Sequence, residues 1–388
     1  MINRLMKSVR GLWGIWLVGV AAVITGLFPS PSNALEWSGY FSAHYENEIF
    51  EDKQRANGSF DAFALALIPR VDITPKLDLY SQIVFEHGGY FEFGTSCAST
   101  VTPPSGLSPA DGGPCSRSTD QRSSGELTLS DVYITYTFND MLKIRAGKFA
   151  TPFGLWNTLM YAAPTHVTVR QPGRESLYSR SGNPTVNSNL FGRYSQGVWL
   201  LGEFAPISYD LYLANGRTRD QDHKDDNESK AVGGRLGGTM NLGPSKLKLL
   251  YSRYQDRLRD TYDSAANPFV DQSTNAVSVE LSLGEFGLTS EYAMSKRGDV
   301  KKNGYYAVLQ YTLLEKWTPF IQYESFEPNK DKDGDKLSTA SVGTVFHIVP
   351  WRTMVKLQAD QVNREDSPAP AAEREDSRKY WLAFATAF

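Results

Sequence analysis

Apolar and polar side chains alternate along many segments of the chain, each of about ten residues, which is the length of a transmembrane β-strand. The segment at 76–87 has polar and charged residues at one parity, among them Asp78 and Glu86. Its other parity carries Leu77, Leu79, Ile83 and Phe85. Successive side chains of a strand point to opposite faces, so the pattern predicts strands with one apolar and one polar face. Such strands are typical of a barrel whose outer face meets lipid and whose inner face meets water.

Sixteen segments of this kind are predicted, and the connections between them alternate between short turns and long loops. This alternation is typical of outer-membrane barrels and favours a barrel over a soluble β-sandwich, whose strands also alternate. Lipid cannot satisfy unpaired backbone amides, so the sheet must close. We therefore predict an all-β fold, a 16-stranded antiparallel transmembrane β-barrel with a water-filled lumen. The predicted strands lie near 36–50, 60–73, 76–87, 126–138, 141–150, 192–204, 207–215, 229–241, 246–257, 273–283, 287–296, 303–313, 317–326, 337–348, 352–362 and 378–388.

The first 34 residues have the features of a signal peptide. Arg4, Lys7 and Arg10 give a basic start, an apolar run follows at 11–28, and small residues lead to Ala34. The apolar run is long for a signal peptide, so an uncleaved inner-membrane anchor is the alternative. We predict a signal peptide at 1–34 and an outer-membrane β-barrel domain at 35–388, in the outer membrane of a Gram-negative bacterium.

Two cysteines, Cys97 and Cys115, flank a Ser-, Pro- and Gly-rich stretch of the long loop at 88–125. An exported protein meets an oxidising compartment, where these thiols would pair. Closing a loop of 18 residues removes denatured-state entropy worth about 3 kcal/mol in the chain-entropy model. We predict a disulfide that rigidifies this loop. Thiol labelling of the unfolded, unreduced protein should find no free thiol, whereas two labelled cysteines would contradict the pairing.

The chain ends in an alternating aromatic pattern. Tyr380, Leu382 and Phe384 share one parity with the terminal Phe388, and Thr386 departs from the apolar residue usual at its position. The pattern resembles the C-terminal signal by which outer-membrane proteins are recognised for assembly, with Phe388 as its last residue.

Composition excludes several classes of function. With 40 Lys+Arg against 43 Asp+Glu, the formal net charge is −3, so we expect no nucleic-acid partner. The two cysteines and five histidines lack the spacing of haem, iron–sulfur or zinc sites, so no metal or cofactor is expected. The sequence has no nucleophile elbow and no phosphate-binding loop, so we predict no enzyme. Catalytic residues that converge from separate strands remain the alternative.

The connection at 151–191 is the third long loop, and it keeps many apolar residues. Loops of that length in compact architectures are functional or disordered. Apolar residues need a packing partner, and in a barrel that partner is the inner wall. We therefore expect the long third loop to fold into the pore and to narrow it.

Positive charge is concentrated between 139 and 195, where seven Lys and Arg stand against two acids. By parity, Lys143 and Arg145 face the lumen, whereas Lys148 points outward. Rings of Arg and Lys in a narrow aqueous pore favour anions, and acids on the facing wall weaken that preference. The residues expected to line or approach the constriction are Lys143, Arg145, Lys148, Arg170, Arg174, Arg180 and Arg193.

The stretch at 142–154 resembles the hallmark segment of the phosphate-selective porin family, porins O and P. In that family a strand ends in a Gly-basic-Phe segment and a Pro-Phe pair opens the following loop. The matching residues here are Gly147, Lys148, Phe149, Pro152 and Phe153. The segments at 130–136 and 209–216 are also similar to those of the family.

The resemblance implies a trimeric outer-membrane channel whose third loop folds into a pore rich in Arg and Lys. The expected function is passive diffusion of small hydrophilic solutes, with a preference for anions such as phosphate. The expected partners are small anionic or polar solutes, outer-membrane lipid and further copies of the chain in a homotrimer. One alternative is a barrel sheath around an exported partner, which needs an unobstructed lumen; an outer-membrane barrel enzyme is the less favoured one.

Overall fold

The computed structural model describes residues 35–50, 56–86, 126–159, 166–174, 176–178, 190–216, 229–259, 269–350, 352–365 and 376–388. The predicted signal peptide at 1–34 lies outside these described residues, as do Cys97, Cys115 and Arg180. Among the described residues, no helix is long and apolar enough to cross a membrane.

The described residues form sixteen β-strands. The strands are β1 Leu35–Phe50, β2 Ala56–Thr74, β3 Leu77–Glu86, β4 Glu126–Asn139, β5 Leu142–Ala150, β6 Tyr194–Phe204, β7 Ile207–Asn215, β8 Lys230–Leu242, β9 Ser245–Arg259, β10 Phe269–Leu283, β11 Phe286–Arg297, β12 Val300–Tyr311, β13 Trp317–Glu327, β14 Leu337–Val349, β15 Thr353–Arg364 and β16 Ser377–Ala387.

Each strand pairs antiparallel with its neighbours in sequence, and β1 pairs with β16, so the sheet is a closed barrel. The predicted 16-stranded antiparallel barrel is therefore confirmed. Two strands begin four residues earlier than predicted, β2 at Ala56 and β10 at Phe269. Backbone pairing continues there beyond the side-chain alternation, with Ala56 opposite Ile49 and Phe269 opposite Arg259.

The two faces of the barrel wall differ as the alternation requires. On β7, Leu211 and Leu213 are each 54% exposed on the outer face, whereas Asp210 and Tyr212 are buried on the lumenal face. Apolar side chains on the outside of a barrel gain from contact with lipid, and the polar groups that remain meet the lumen. Lumen-facing residues can therefore be assigned by parity, except where a β-bulge shifts the register, as between Leu129 and Asp131 of β4.

The terminal residue takes part in barrel closure. The Phe388 backbone N–H donates to the Gly39 carbonyl, and the Gly39 N–H donates to the Phe388 carbonyl, both at 3.0 Å. A Cβ atom at position 39 would lie 2.7 Å from the Phe388 ring, so the glycine makes room for the aromatic side chain. Phe388 thus joins β1 and β16 at the end of the barrel that holds both termini.

Deleting Phe388 should reduce insertion into the outer membrane while synthesis and export continue, because the predicted signal peptide is unchanged. The deletion removes the predicted recognition residue and the two backbone hydrogen bonds to Gly39. Immunoblots of outer-membrane fractions, comparing heated and unheated samples, measure the folded barrel. A normal amount of heat-modifiable barrel would contradict the role of Phe388 in assembly.

Candidate pore and constriction loop

The constriction loop comprises residues 151–193 between β5 and β6, and its described residues fold into the barrel and pack against the inner wall. Phe153 stacks on Phe191 with ring centroids 4.3 Å apart, and Phe191 meets Tyr254 of β9 edge-on at 6.2 Å. Tyr178 and Leu177 of the same loop are also buried in this cluster. The expectation that this loop folds into the pore is therefore confirmed, and its apolar residues are what hold it there.

Hydrogen bonds close the base of the constriction loop. The Thr151 N–H donates to the Arg193 carbonyl at 2.9 Å, and the hydroxyls of Thr151 and Ser195 lie 2.8 Å apart. The buried side-chain amide of Asn157 donates to the carbonyls of Thr151 and Arg193, each at 2.8 Å. The two ends of the loop are therefore fixed to each other before it crosses the lumen.

Glu291 of β11 is the main polar anchor of the loop. Its buried carboxylate accepts hydrogen bonds from the Leu155 backbone N–H at 2.8 Å and from the Tyr178 hydroxyl at 2.6 Å. The hydroxyls of Tyr306 and Ser278 donate to it from the wall at 2.6 and 2.7 Å. A carboxylate with four donors is well compensated for its burial, so Glu291 joins two separate parts of the loop to the wall.

Gly154 passes closest to this anchor. Its N–H donates to the Ser252 hydroxyl at 3.0 Å, and its carbonyl accepts from Arg235 at 2.8 Å. Its φ of +64° lies in the left-handed region, and a Cβ atom there would lie 2.2 Å from the Tyr178 hydroxyl oxygen and 2.4 Å from Glu291. Only glycine fits this backbone against the wall.

Lys356 of β15, four strands along the barrel wall from Glu291, is a second anchor. Its buried ammonium donates to the carbonyls of His166 and Thr168 at 2.6 and 2.9 Å, and Gln358 accepts from the Val169 N–H at 2.8 Å. Burial and the nearby ammonium lower the pKa of His166 well below its usual value. The ring is therefore neutral at neutral pH, and its Nδ1 lies 2.8 Å from the Thr168 carbonyl, to which the Nδ1–H donates.

Arg170, next along the loop, reaches the strands that close the barrel. Its guanidinium lies 3.6 Å from a carboxylate oxygen of Glu46 on β1 and 4.3 Å from the ring centroid of Trp381 on β16. The ammonium of Lys379 lies 3.4 Å from the same Glu46 carboxylate. Arg170 therefore joins the loop to β1 and β16, and its positive charge is balanced by Glu46.

Arg145 of β5 occupies a different environment on the lumenal face. Its guanidinium lies over the rings of Tyr133 and Trp199, at 4.7 and 4.5 Å from the centroids. The Trp199 indole N–H donates to Asp210 at 3.0 Å, and Asp210 also pairs with Arg235 at 2.7 Å. Within the described part of the chain, Arg145 forms no ion pair with a carboxylate. Aromatic rings thus hold a lumenal cation in place without neutralising it.

The structure separates the predicted basic cluster into distinct groups. Lys143 and Arg145 lie on the lumenal face of β5, opposite Leu201 and Trp199 of β6. Lys148 lies on the outer face, opposite Val132 and Gln196, and its ammonium is 5.5 Å from the ring centroid of Tyr194. The Lys148 side chain points outward because successive residues of a strand alternate between its two faces. Arg193 lies at the base of the loop, and Arg170 and Arg174 lie on the loop itself.

Sequence patterns do not identify the two anchors of the loop. Glu291 and Lys356 are predicted by parity to face the lumen, but nothing marks them as partners of the loop. The Leu155 bond to Glu291 spans 136 positions, and the His166 bond to Lys356 spans 190. Contacts of that separation depend on barrel closure, which a single sequence does not encode locally.

Residues 20–367 match the model of a protein family described as Gram-negative porin. A curated relative, an uncharacterized protein of Aquifex aeolicus, is 32% identical over 98 residues, which is 25% of this chain and 20% of that protein. The chain thus matches only about a fifth of that relative's length.

Solved structures of outer-membrane barrels share the fold. An anion-selective porin from Comamonas acidovorans superposes with a TM-score of 0.59 at 13% identity, covering 92% of this chain and 100% of that one. The trimer form of the outer membrane protein OmpT of Vibrio cholerae gives a TM-score of 0.55 at 11% identity, covering 92% of this chain and 99% of that one. At these identities the similarity establishes the architecture.

Proposed function

Given that this chain belongs to the Gram-negative porin family, we propose that its outer-membrane channel passes small hydrophilic solutes by passive diffusion and prefers small anions such as phosphate. The observation that carries this proposal is the lumenal pair Lys143 and Arg145. Among the described residues, neither forms an ion pair with a carboxylate. Anions passing this wall meet two cations that no described carboxylate pairs with, although Asp131 is close enough to interact electrostatically with Arg145.

The geometry of the loop increases the weight of these charges. The constriction loop forms hydrogen bonds with β8, β9, β10, β11, β13 and β15, and through Arg170 it contacts β1 and β16. The passage left for solutes then runs along the wall that includes β5, where Arg145 lies. In a narrow passage with low-dielectric walls, screening is weaker than in bulk solution, so one charge has a larger effect.

Several acids face the lumen and limit the preference. Glu46 pairs with Arg170 and Lys379, and Asp210 pairs with Arg235. These two acids are offset by their own basic partners, whereas Asp131, which interacts with Arg145 without pairing to it, lowers the local field. We expect a moderate anion preference, and the anion-selective porin of Comamonas acidovorans gives independent support at the level of a similar fold.

A homotrimer is part of this proposal, supported by the trimer form of the similar Vibrio cholerae protein. The sheath hypothesis is disfavoured because the constriction loop occupies the lumen that a sheathed partner would need. The channel family and fold likewise disfavour an enzyme.

Recordings of the purified protein in planar bilayers test the proposal. In KCl we expect an open channel that closes in three equal steps, one for each barrel of a trimer. Exchanging chloride for a bulky organic anion should lower the conductance more than exchanging potassium for a bulky organic cation. A silent protein would support a sheath or an enzyme, and a larger effect of the cation exchange would contradict anion preference.

A further inference from the structure

A small recess lies between the loop and the lumenal wall of β13 to β16. Its volume is about 40 Å³, and loop residues 170–174 cover it. A water molecule needs roughly 10–15 Å³ of such space, so the recess has room for about three. The polar residues that line it from the wall include Gln322, Glu324, Thr339, Ser341 and Asp360.

Four neutral polar side chains around the recess lack hydrogen-bond partners for particular atoms. Within the described residues and their surroundings, nothing pairs with Gln322 Oε1, Thr339 Oγ1, Ser341 Oγ or Gln171 Nε2. The exposure of these four residues is only 4–8%. A buried polar group left unpaired costs about 1–3 kcal/mol, so four in one place point to an occupant that pairs with them.

Barrel register explains why these groups converge. Gln322 of β13 lies opposite Ser341 of β14, and Glu324 lies opposite Thr339. Residues two apart on a strand share a face, so all four of these side chains are directed to the lumen. Gln171 of the loop completes the set from above.

Charged residues at the recess already have partners. Arg170 and Lys379 pair with Glu46 at 3.6 and 3.4 Å. The Asp360 carboxylate accepts hydrogen bonds from Gln358 at 2.7 Å and from the Trp381 indole at 2.6 Å. Arg174 and Arg364 also line the recess, and both have partners of their own.

We propose that this recess is a binding subsite for an uncharged polyhydroxylated solute of monosaccharide size. Apart from Arg170 Nε, whose guanidinium pairs with Glu46, the unmatched atoms of the recess belong to neutral groups: two hydroxyls, one amide donor and one amide acceptor. A hydroxyl group both donates and accepts, so adjacent hydroxyls on one edge of a polyol match this set. The recess has room for two or three such hydroxyls, and the rest of the bound solute would lie in the lumen.

The test uses D-glucose as the probe on the full-length channel in planar bilayers. Wild-type conductance should fall in a saturable manner as glucose rises. In the double variant T339V/S341A, half-saturation should move to at least about tenfold higher glucose, because two neutral hydrogen bonds are lost. The matched control is Thr137→Val, which removes the hydroxyl of another lumen-facing threonine, on β4, away from the recess.

Two results would overturn the subsite. A conductance that falls only in proportion to solution viscosity, equally in all three proteins, would mean that the recess holds water alone. Saturable block by inorganic phosphate but not by glucose, lost in the same double variant, would mean that the recess binds anions. The subsite does not depend on the ion preference of the channel, because the reversal potential should be the same in the double variant and the wild type.

Discussion

Replacing Glu291 with alanine should release the constriction loop and raise the single-channel conductance. The substitution removes the acceptor for the Leu155 N–H, the Tyr178 hydroxyl and two wall hydroxyls. Each buried donor left without an acceptor costs about 1–3 kcal/mol, so the docked position of the loop loses several kcal/mol before water enters. The open level should be larger and noisier because the loop then samples positions away from the wall.

Control variants separate loop release from general damage to the barrel. Glu280→Ala removes a carboxylate from neighbouring β10 that contacts Lys248 at 4.0 Å and has no hydrogen bond to the loop among the described residues. It should leave the conductance near the wild-type value. Glu291→Gln keeps one carbonyl acceptor and should lie between the two. A wild-type conductance in a correctly folded Glu291→Ala barrel would show that Glu291 does not hold the loop.

Removing the two lumenal cations of β5 should have the largest effect on ion selectivity. In the double variant K143Q/R145Q, the wall beside the passage loses both charges that are unpaired with acids in the described structure. The acids of the lumen remain, so the reversal potential in a KCl gradient should move toward the potassium equilibrium value. The shift should grow at low salt, since the Debye length increases from about 10 Å at 0.1 M to about 30 Å at 0.01 M.

Lys148→Gln is the matched control for this experiment. It removes one positive charge from the same strand, but from the outer face opposite Val132 and Gln196. Its reversal potential should equal that of the wild type, and Arg145→Lys, which keeps the charge, should also retain most of the preference. Equal shifts from Lys148→Gln and from K143Q/R145Q would contradict a local effect of the lumenal cations.

The fold could be predicted from the sequence because lipid imposes a simple pattern. An outward residue such as Leu211 or Leu213 must be apolar, and its neighbours Asp210 and Tyr212 must suit the lumen. The same parity directs Lys148 outward and Arg145 inward. Strand ends are harder to place, because pairing such as that of Ala56 with Ile49 continues where lipid no longer selects the side chains.

Pore chemistry could be predicted only in part. The composition of the constriction loop predicts that it folds inward, but not which wall residues receive it. Glu291 and Lys356 resemble any other lumenal charge until the closed barrel brings the loop to them. The sequence around Arg170 likewise does not indicate that Glu46 balances its charge. The two aromatic rings at Arg145 come from the strands on either side of β5.

The most direct test of the central claim is the reversal potential of the wild-type channel in asymmetric KCl. In the proposed pore the passage runs beside Arg145, which forms no ion pair among the described residues. The measured potential should therefore lie between zero and the chloride equilibrium value, and its displacement from zero should diminish as the salt concentration rises. A reversal potential at zero, or on the potassium side, in a protein that forms open channels would contradict the account of an anion-preferring pore.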